Sequence, residues 1–296
     1  MLHDDFASST PRPGSRRTTV FAAAGLACVC LTVAGCGGDG GPAPGGGSAA
    51  SAPPKRSASP SAAPRSGKPL PRGPLSGRTV VIDPGHNPGN RDHTREIGRQ
   101  VDIGTARKEC DTTGTATDSG YPEARFTLDV SRRLRTLLEK QGAKVVLTQD
   151  GDRPYGPCID ERARIGNEAG ADAVVSVHAD GSARGNRGFH VILPAAVRGG
   201  GADTSKIVTP SRELGERIAG NFVRVTGSAA SNYIGGDTGL DTRKDLGGLN
   251  LSTVPKVFIE CGNMRDPEDA ALLTSGDWRQ KAALGIAGGV SSYLKR

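Results

Sequence analysis

Short apolar runs of strand length alternate with helical patterns over most of the chain, and this alternation limits the possible folds more than any other feature. The expected strands cover 79–83, 143–148, 173–177, 188–193 and 256–260. The expected helices cover 123–141, 160–169, 210–225, 266–273 and 278–294. This order predicts an α/β fold: a three-layer sandwich with a mostly parallel twisted sheet and helices on both faces.

The first 36 residues have the pattern of an export signal. Arg16 and Arg17 precede an uncharged apolar run over 20–34, which is short for a membrane span but suits the core of a secretory signal. Small residues directly before Cys36 are similar to the lipobox of bacterial lipoproteins, which predicts lipidation of Cys36. An ordinary signal peptide with an incidental cysteine is the alternative, and the arginine pair leaves the export route open between Sec and Tat.

Residues 37–74 are mostly Gly, Ala, Pro and Ser, a composition that cannot bury a core and predicts a disordered tether. The folded domain is therefore expected over 75–296. The net charge of +7 suits attraction to an anionic wall or membrane face, but also an ordinary soluble surface. Because only 4% of residues are aromatic and none interleave with basic runs, nucleic acid is not an expected partner. We expect a monomeric, membrane-anchored lipoprotein facing the cell wall, or a secreted protein.

Three cysteines remain in the expected folded domain. Cys110 and Cys158 both lie in loops rich in Gly, Pro and Asp, and an oxidising compartment would allow them to form a disulfide. Cys261 follows an apolar strand and is expected to be buried and free.

Four residues could form a site. His86, His178 and Glu260 follow or close three expected strands, and Glu123 opens a helix after Pro122. Each has an ordinary structural explanation alone, although a carboxylate at the end of a buried strand is costly unless it is paired or used. In α/β sheets, however, sites form beyond the carboxyl ends of the strands, where these residues would converge.

Two histidines and one glutamate are a ligand set for a catalytic zinc ion that keeps one position for water. His86, Glu123 and His178 would then be the ligands. A further carboxylate must accept the proton of the water and pass it to the leaving nitrogen, and Glu260 is the remaining candidate.

At these positions the chain resembles the zinc-dependent N-acetylmuramoyl-L-alanine amidases of the amidase-3 type. The resemblance rests on four segments in the same order: VVIDPGHNPGN, PEARFTLDVSRRLRTLLEKQGAKVVLTQD, RARIGNEAGADAVVSVHAD and VPKVFIECGNMRDPEDAALL. It implies Zn²⁺ as cofactor, peptidoglycan or muropeptides as substrate, His86, Glu123 and His178 as ligands, and Glu260 as the catalytic acid and base. Arg243, Asn250 and His190 are candidate substrate contacts.

The chain differs from that family in a longer interval between His86 and Glu123. The added loop could shape the substrate groove or cover it, and a disulfide from Cys110 to Cys158 would restrain it. Two other functions remain possible at this point. One is a zinc carboxypeptidase acting on stem peptides, although such enzymes place their first histidine and glutamate only a few residues apart. The other is a non-catalytic wall-binding lipoprotein, which would not require an intact ligand set.

Overall fold

A six-stranded sheet with helices on both faces forms the core of residues 71–295, the part of the chain that this computed structural model describes. The strands are β1 (Thr79–Pro84), β2 (Gln100–Asp102), β3 (Arg107–Glu109), β4 (Lys144–Leu147), β5 (Ala173–Asp180), β6 (His190–Pro194), β7 (Arg198–Gly199), β8 (Ala202–Asp203), β9 (Leu240–Arg243) and β10 (Lys256–Asn263). The helices are α1 (Thr94–Ile97), α2 (Glu123–Lys140), α3 (Ile159–Glu168), α4 (Val208–Thr226), α5 (Gly247–Asn250), α6 (Pro267–Thr274) and α7 (Gly276–Leu294), and a 3₁₀ turn covers Asn90–Asp92.

The strand order in the main sheet is β4–β1–β5–β10–β6–β9. The first four are parallel to one another, β6 pairs antiparallel to β10, and β9 pairs parallel to β6. The sheet is therefore mixed but mostly parallel, and the predicted α/β class is confirmed. The parallel strands place their carboxyl ends at one edge, where binding sites form in sheets of this kind.

Alternate residues of the central strands face two different layers. One face packs its valines and isoleucines against α2, α4 and α7 in the main hydrophobic core. The other face carries Val81 and Val174, which pack against α3 in a smaller cluster. Continuous apolar strands such as Ala173–Val177 follow from this burial on both faces. Beyond the small cluster the same face carries Asp83, Ser176 and His178, which border a cavity.

Several short elements were not predicted. β9 has the sequence LDTR and lies at the edge of the sheet, so it carries no apolar run that would reveal it. β2 with β3, and β7 with β8, form two-stranded hairpins of two or three residues per strand. β2 and β3 occupy the interval between His86 and Glu123. Within 71–295 no helix combines the length and apolar composition needed to cross a membrane.

The expected signal peptide, the lipidation at Cys36 and most of the expected tether lie outside the described residues. The domain boundaries stay predictions.

Candidate active site

Three side chains meet at the carboxyl end of the sheet: His86 in the turn after β1, Glu123 at the first position of α2 and His178 in β5. One donor atom of each lies within 4.8 Å of the others. Glu123 Oε2 is 3.2 Å from His86 Nε2, and Glu123 Oε1 is 3.0 Å from His178 Nδ1. The two imidazole rings are nearly perpendicular, with centroids 5.1 Å apart. The fold thus brings together the three residues predicted as metal ligands.

The turn that carries His86 is held from several sides. Its φ is 59°, in the left-handed region that residues other than glycine rarely adopt. Gln149 Nε2 donates to the His86 carbonyl at 2.9 Å, and Thr127 Oγ1 donates to the Gly85 carbonyl at 2.6 Å. The Gly85 N–H donates to Val177 O on β5. Strained backbone of this kind clusters at functional sites, where the surrounding contacts maintain it.

The carboxylate of Glu123 is buried, at 4% exposure. The N–H groups of Thr115 and Ala179 donate to its two oxygens at 3.0 and 3.2 Å. Among the described residues no lysine or arginine pairs with it, so its partners are two backbone amides and two histidines. Burial raises the pKa of Glu123, but His86 and His178 outweigh burial and hold it well below its usual range. A buried anion without a basic partner, next to two imidazoles, fits a divalent cation bound by all three.

Protons and a metal would compete for His86. Burial lowers the pKa of this imidazole, but the neighbouring carboxylates of Glu123 and Asp111 raise it well above its usual range. In the metal-free protein these carboxylates therefore favour the protonated form of the ring. A metal bound there would have to displace that proton, so metal affinity would fall as the pH falls.

Glu260 lies on β10 beside the cluster. Strand pairing places it opposite His178 on one side and His190 on the other. Its Oε2 atom is buried and has no hydrogen-bond partner among the described residues. Burial, reinforced by the negative charges of Glu123 and Asp180, raises the pKa of Glu260 well above its usual range. Glu260 and all three residues of the cluster border one recess of about 240 Å³.

The prediction that strands end at His178 and Glu260 was wrong in detail. β5 continues to Asp180 and β10 continues to Asn263, with an irregular register between Glu260 and Asn263. The two strands remain paired beyond the site, so His178 and Glu260 project from one face of the sheet rather than from its edge. Their neighbours in sequence, such as Val177 and Ile259, point into the core on the opposite face.

The three predicted substrate contacts lie in different environments. Arg243 borders the recess beside Glu260 and donates two hydrogen bonds to Asp245, at 2.9 and 2.6 Å. Asn250 is 1% exposed; its amide nitrogen donates to the Lys244 carbonyl at 2.9 Å, and its Oδ1 atom has no hydrogen-bond partner among the described residues. His190 is 2% exposed, and burial lowers its pKa, which favours the neutral ring. Of these three, Arg243 borders the recess that the cluster also lines.

The loop between His86 and Glu123 is fastened to α3. Cys110 and Cys158 form a disulfide, and the Ile159 N–H donates to the Cys110 carbonyl at 2.8 Å. Cys261 is buried and free.

Sequence reasoning missed several neighbours of the histidines. The Thr112 carbonyl is 3.1 Å from His86 Nδ1, and Asp111 Oδ1 lies 3.4 Å from the same nitrogen. The ring of Phe258 stacks on His178 with centroids 5.2 Å apart. These residues and the two histidines also line a second cavity, of about 400 Å³. Phe258 could have been found from the period of two in β10, since it stands two positions before Glu260 on the same face.

An α/β sandwich that presents two histidines and a glutamate around a recess, with a further carboxylate beside them, is typical of metal-dependent hydrolases. Residues 80–292 match the family model of N-acetylmuramoyl-L-alanine amidases, Amidase_3. The chain is 41% identical over 225 residues to the N-acetylmuramoyl-L-alanine amidase Rv3717 of Mycobacterium tuberculosis, covering 74% of this chain and 88% of that protein. It is 26% identical to the N-acetylmuramoyl-L-alanine amidase AmiA of Escherichia coli, covering 73% of this chain and 76% of AmiA.

Among solved structures, the amidase Ami1 of Mycobacterium smegmatis superposes with a TM-score of 0.68 at 39% identity, covering 74% of this chain and 98% of Ami1. The apo form of Ami1 from Mycobacterium abscessus gives a TM-score of 0.67 at 40% identity, covering 74% of this chain and all of that chain, 100%.

The chain belongs to the N-acetylmuramoyl-L-alanine amidase family. It is a peptidoglycan amidase, which hydrolyses the amide bond between N-acetylmuramic acid and the L-alanine of the stem peptide. Neither the carboxypeptidase nor the non-catalytic alternative is favoured by these matches.

Proposed function

We propose that this amidase is zinc-dependent and that His86, Glu123 and His178 hold the ion. The proposal is supported by the N₂O donor set, by the mutual distances of the donor atoms and by the buried Glu123 carboxylate, which has no lysine or arginine partner among residues 71–295. A zinc ion bound there would polarise the scissile carbonyl and lower the pKa of the attacking water.

Glu260 is the proposed acid and base of the reaction. The observation that carries this role is its position: it lies in register beside His178, on the same recess, with one buried carboxylate oxygen that no described group satisfies. Glu260 would accept the proton of the water and deliver it to the amide nitrogen as the peptide leaves. Its raised pKa favours holding the proton between these two transfers. In the loaded site the pKa would be lower, because the ion adds a positive charge nearby.

The test of these roles separates metal binding from catalysis. Glu260→Gln is expected to keep bound zinc and to lose muropeptide hydrolysis by a factor of about 10² to 10⁴, because only the proton carrier is removed. His86→Ala is expected to lose both zinc and activity. Glu216→Gln, at an exposed position of α4, is the matched control and should change neither. Full activity in Glu260→Gln would refute the role of Glu260.

Mass analysis of the products checks the bond that is cut. An N-acetylmuramic acid fragment with a free lactyl carboxylate, together with a peptide that begins with L-alanine, is the expected result. Shortened stem peptides still attached to the sugar would instead indicate a carboxypeptidase.

Arg243 is the proposed substrate contact. It borders the same recess as Glu260, and its side chain is 39% exposed despite its pairing with Asp245. A guanidinium there could bind a carboxylate or carbonyl of the stem peptide. Asn250 and His190 are only 1% and 2% exposed, so a substrate would reach them less easily than it would reach Arg243.

Export and membrane anchoring complete the proposal. A peptidoglycan substrate requires the enzyme to act outside the cytoplasm, and residues 1–36 have the pattern of a signal peptide that ends in a lipobox. Lipidated Cys36 would hold the domain at the membrane through the tether of residues 37–74, with the domain acting as a monomer. Cys36→Ala is expected to shift the protein from the membrane fraction to the medium. An unchanged membrane fraction would refute the lipid anchor.

A further inference from the structure

Four charged side chains form a buried chain beneath the proposed metal site: Lys256, Asp83, Arg162 and Asp111. All four are at most 6% exposed. Two are cations and two are anions, so the group is neutral as a whole. Removing one member of such a group leaves a buried charge without its partner, which is strongly destabilising.

The Asp83 carboxylate forms one half of this chain. Its Oδ2 atom accepts from Lys256 Nζ at 3.1 Å and from Ser176 Oγ at 2.9 Å. Its Oδ1 atom accepts from Thr148 Oγ1 at 2.7 Å and from Arg162 Nη1 at 2.8 Å. Asp83 of β1 is thus linked by its side chain to Ser176 of β5 and to Lys256 of β10. None of them touches a proposed metal ligand.

The guanidinium of Arg162 forms the link to the other half. Its Nη1 also donates to the Pro84 carbonyl at 2.6 Å, and its Nη2 donates to Asp111 Oδ2 at 2.9 Å. Pro84 stands two positions before His86, at the start of the strained turn. One planar side chain therefore holds both the backbone that enters this turn and the carboxylate that lies behind the imidazole.

Asp111 completes the connection to His86. Its second oxygen, Oδ1, lies 3.4 Å from His86 Nδ1 and accepts from the Thr112 N–H at 2.8 Å. The Thr112 carbonyl and hydroxyl, which Asp111 thereby helps to hold, lie 3.1 and 3.2 Å from the same ring nitrogen. The other ring nitrogen, Nε2, faces Glu123 and the proposed metal position. When a histidine binds a metal, a hydrogen bond from its remaining ring nitrogen fixes the tautomer and the orientation of the ring.

We propose that Arg162 is a positioning residue for His86, acting through Asp111 and the Pro84 carbonyl, so that Nε2 of His86 faces the metal. The inference rests on the proposed function, in which His86 is a ligand. Lysine cannot replace arginine in this role, because a single ammonium group cannot contact two carboxylates and a carbonyl in the fixed geometry of a guanidinium. The contacts of Asp83 with Thr148 and Lys256 serve the fold instead.

The test measures zinc affinity and thermal stability separately, with zinc added to the metal-free purified protein in competition with a chelating dye. Arg162→Lys and Asp111→Asn are each expected to weaken zinc binding by about 10- to 100-fold, the usual effect of losing a partner of a ligating histidine. The double variant should be little worse than either single one, because both break the same link.

Thr148→Val is the matched control. It removes a buried hydrogen bond from Asp83 while keeping the volume of the side chain, and it leaves Arg162, Asp111 and His86 in contact. It should lower the unfolding temperature but leave the zinc dissociation constant within about threefold of wild type, since its effect is on the fold alone.

Unchanged zinc affinity in Arg162→Lys would overturn the proposal. The proposal would also be overturned if Thr148→Val and Arg162→Lys lowered the unfolding temperature equally and weakened zinc binding equally. If Arg162→Lys does not fold, Asp111→Asn decides the question, because it breaks the same link at its other end. Wild-type protein that binds no zinc would overturn the metal assignment itself, whereas normal wild-type binding with an unaffected Asp111→Asn variant would overturn only the role of this link.

Discussion

Gly85 shows how closely the two histidines are packed. A Cβ atom on this residue would lie 2.4 to 2.7 Å from three atoms of the His178 ring. The turn after β1 can therefore approach β5 only because Gly85 has no side chain. The next residue, His86, adopts a positive φ and turns its ring toward Glu123. A glycine and a strained histidine in sequence thus set the distance between the two imidazoles.

Gly85→Ala is expected to push the His178 ring away from the cluster and to weaken zinc binding by about tenfold or more, as other changes that misplace a ligating histidine do. A chelator competition assay would measure this loss. Gly220→Ala is the control, because a Cβ atom on Gly220 in α4 would meet nothing within 4 Å beyond its own helix backbone and chain neighbours. This variant should keep zinc while gaining about 0.5–1 kcal/mol of stability. Equal zinc affinity in the two variants would contradict this account of Gly85.

The loop between His86 and Glu123 is connected to the start of α3 by a disulfide and a backbone hydrogen bond. Cys158 is the residue that precedes α3, and its disulfide partner Cys110 receives a hydrogen bond from Ile159 at 2.8 Å. This attachment lies next to Asp111 and one turn before Arg162. The disulfide therefore restrains the same two segments that hold the ring of His86.

Replacing both cysteines by alanine, in Cys110→Ala with Cys158→Ala, is expected to lower the free energy of unfolding by about 2–5 kcal/mol. Urea denaturation of the metal-free protein would measure the change. Cys261→Ala provides a control for loss of a buried sulfur without loss of a cross-link, and addition of a reductant should shift the midpoint of wild type but not that of the double variant. Identical midpoints for wild type with and without reductant would rule out the stabilising role.

At the scale of the whole molecule, the parts of the fold with local sequence signals were predictable. The central strands are apolar on both faces, so they appear as continuous runs, and the long helices carry an apolar stripe and an end signal. β9 could not be found in this way, because it is a short polar edge strand whose partner β6 lies far away in sequence.

The residues of the candidate site likewise fall into those that the sequence could predict and those that it could not. His86, Glu123, His178 and Glu260 were found because each follows or opens an element with a clear pattern. Asp111 and Arg162 were not, because their importance comes from a contact between two loops and a helix that only the folded chain brings together. Asn250 was predicted as a substrate contact from the resemblance to the family, and in the fold its amide nitrogen donates to the Lys244 carbonyl at 2.9 Å, a contact that the sequence does not reveal.

The buried charges also determine how the whole molecule responds to acid. Burial raises the pKa of Asp83, but Lys256 and Arg162 outweigh it and hold the pKa well below its usual range. For Asp111, Arg162 likewise outweighs burial and lowers the pKa to about 2. Both carboxyl groups therefore protonate at higher pH in the unfolded chain than in the folded one. Their contribution to stability is fully present above the unfolded pKa and is lost as the pH falls toward the folded values.

The lowered pKa of Asp83 predicts how the stability of Asp83→Asn depends on pH. The variant should be less stable than wild type at neutral pH, and the difference in free energy of unfolding should shrink as the pH falls from about 5 to about 2.5, because wild type progressively loses what the variant lacks. Urea denaturation of metal-free protein across this range, with Glu216→Gln as a surface control, would measure the difference. A constant gap between wild type and Asp83→Asn would show that the charge of Asp83 contributes nothing to acid stability, and that its effect on the fold comes from shape and hydrogen bonding alone.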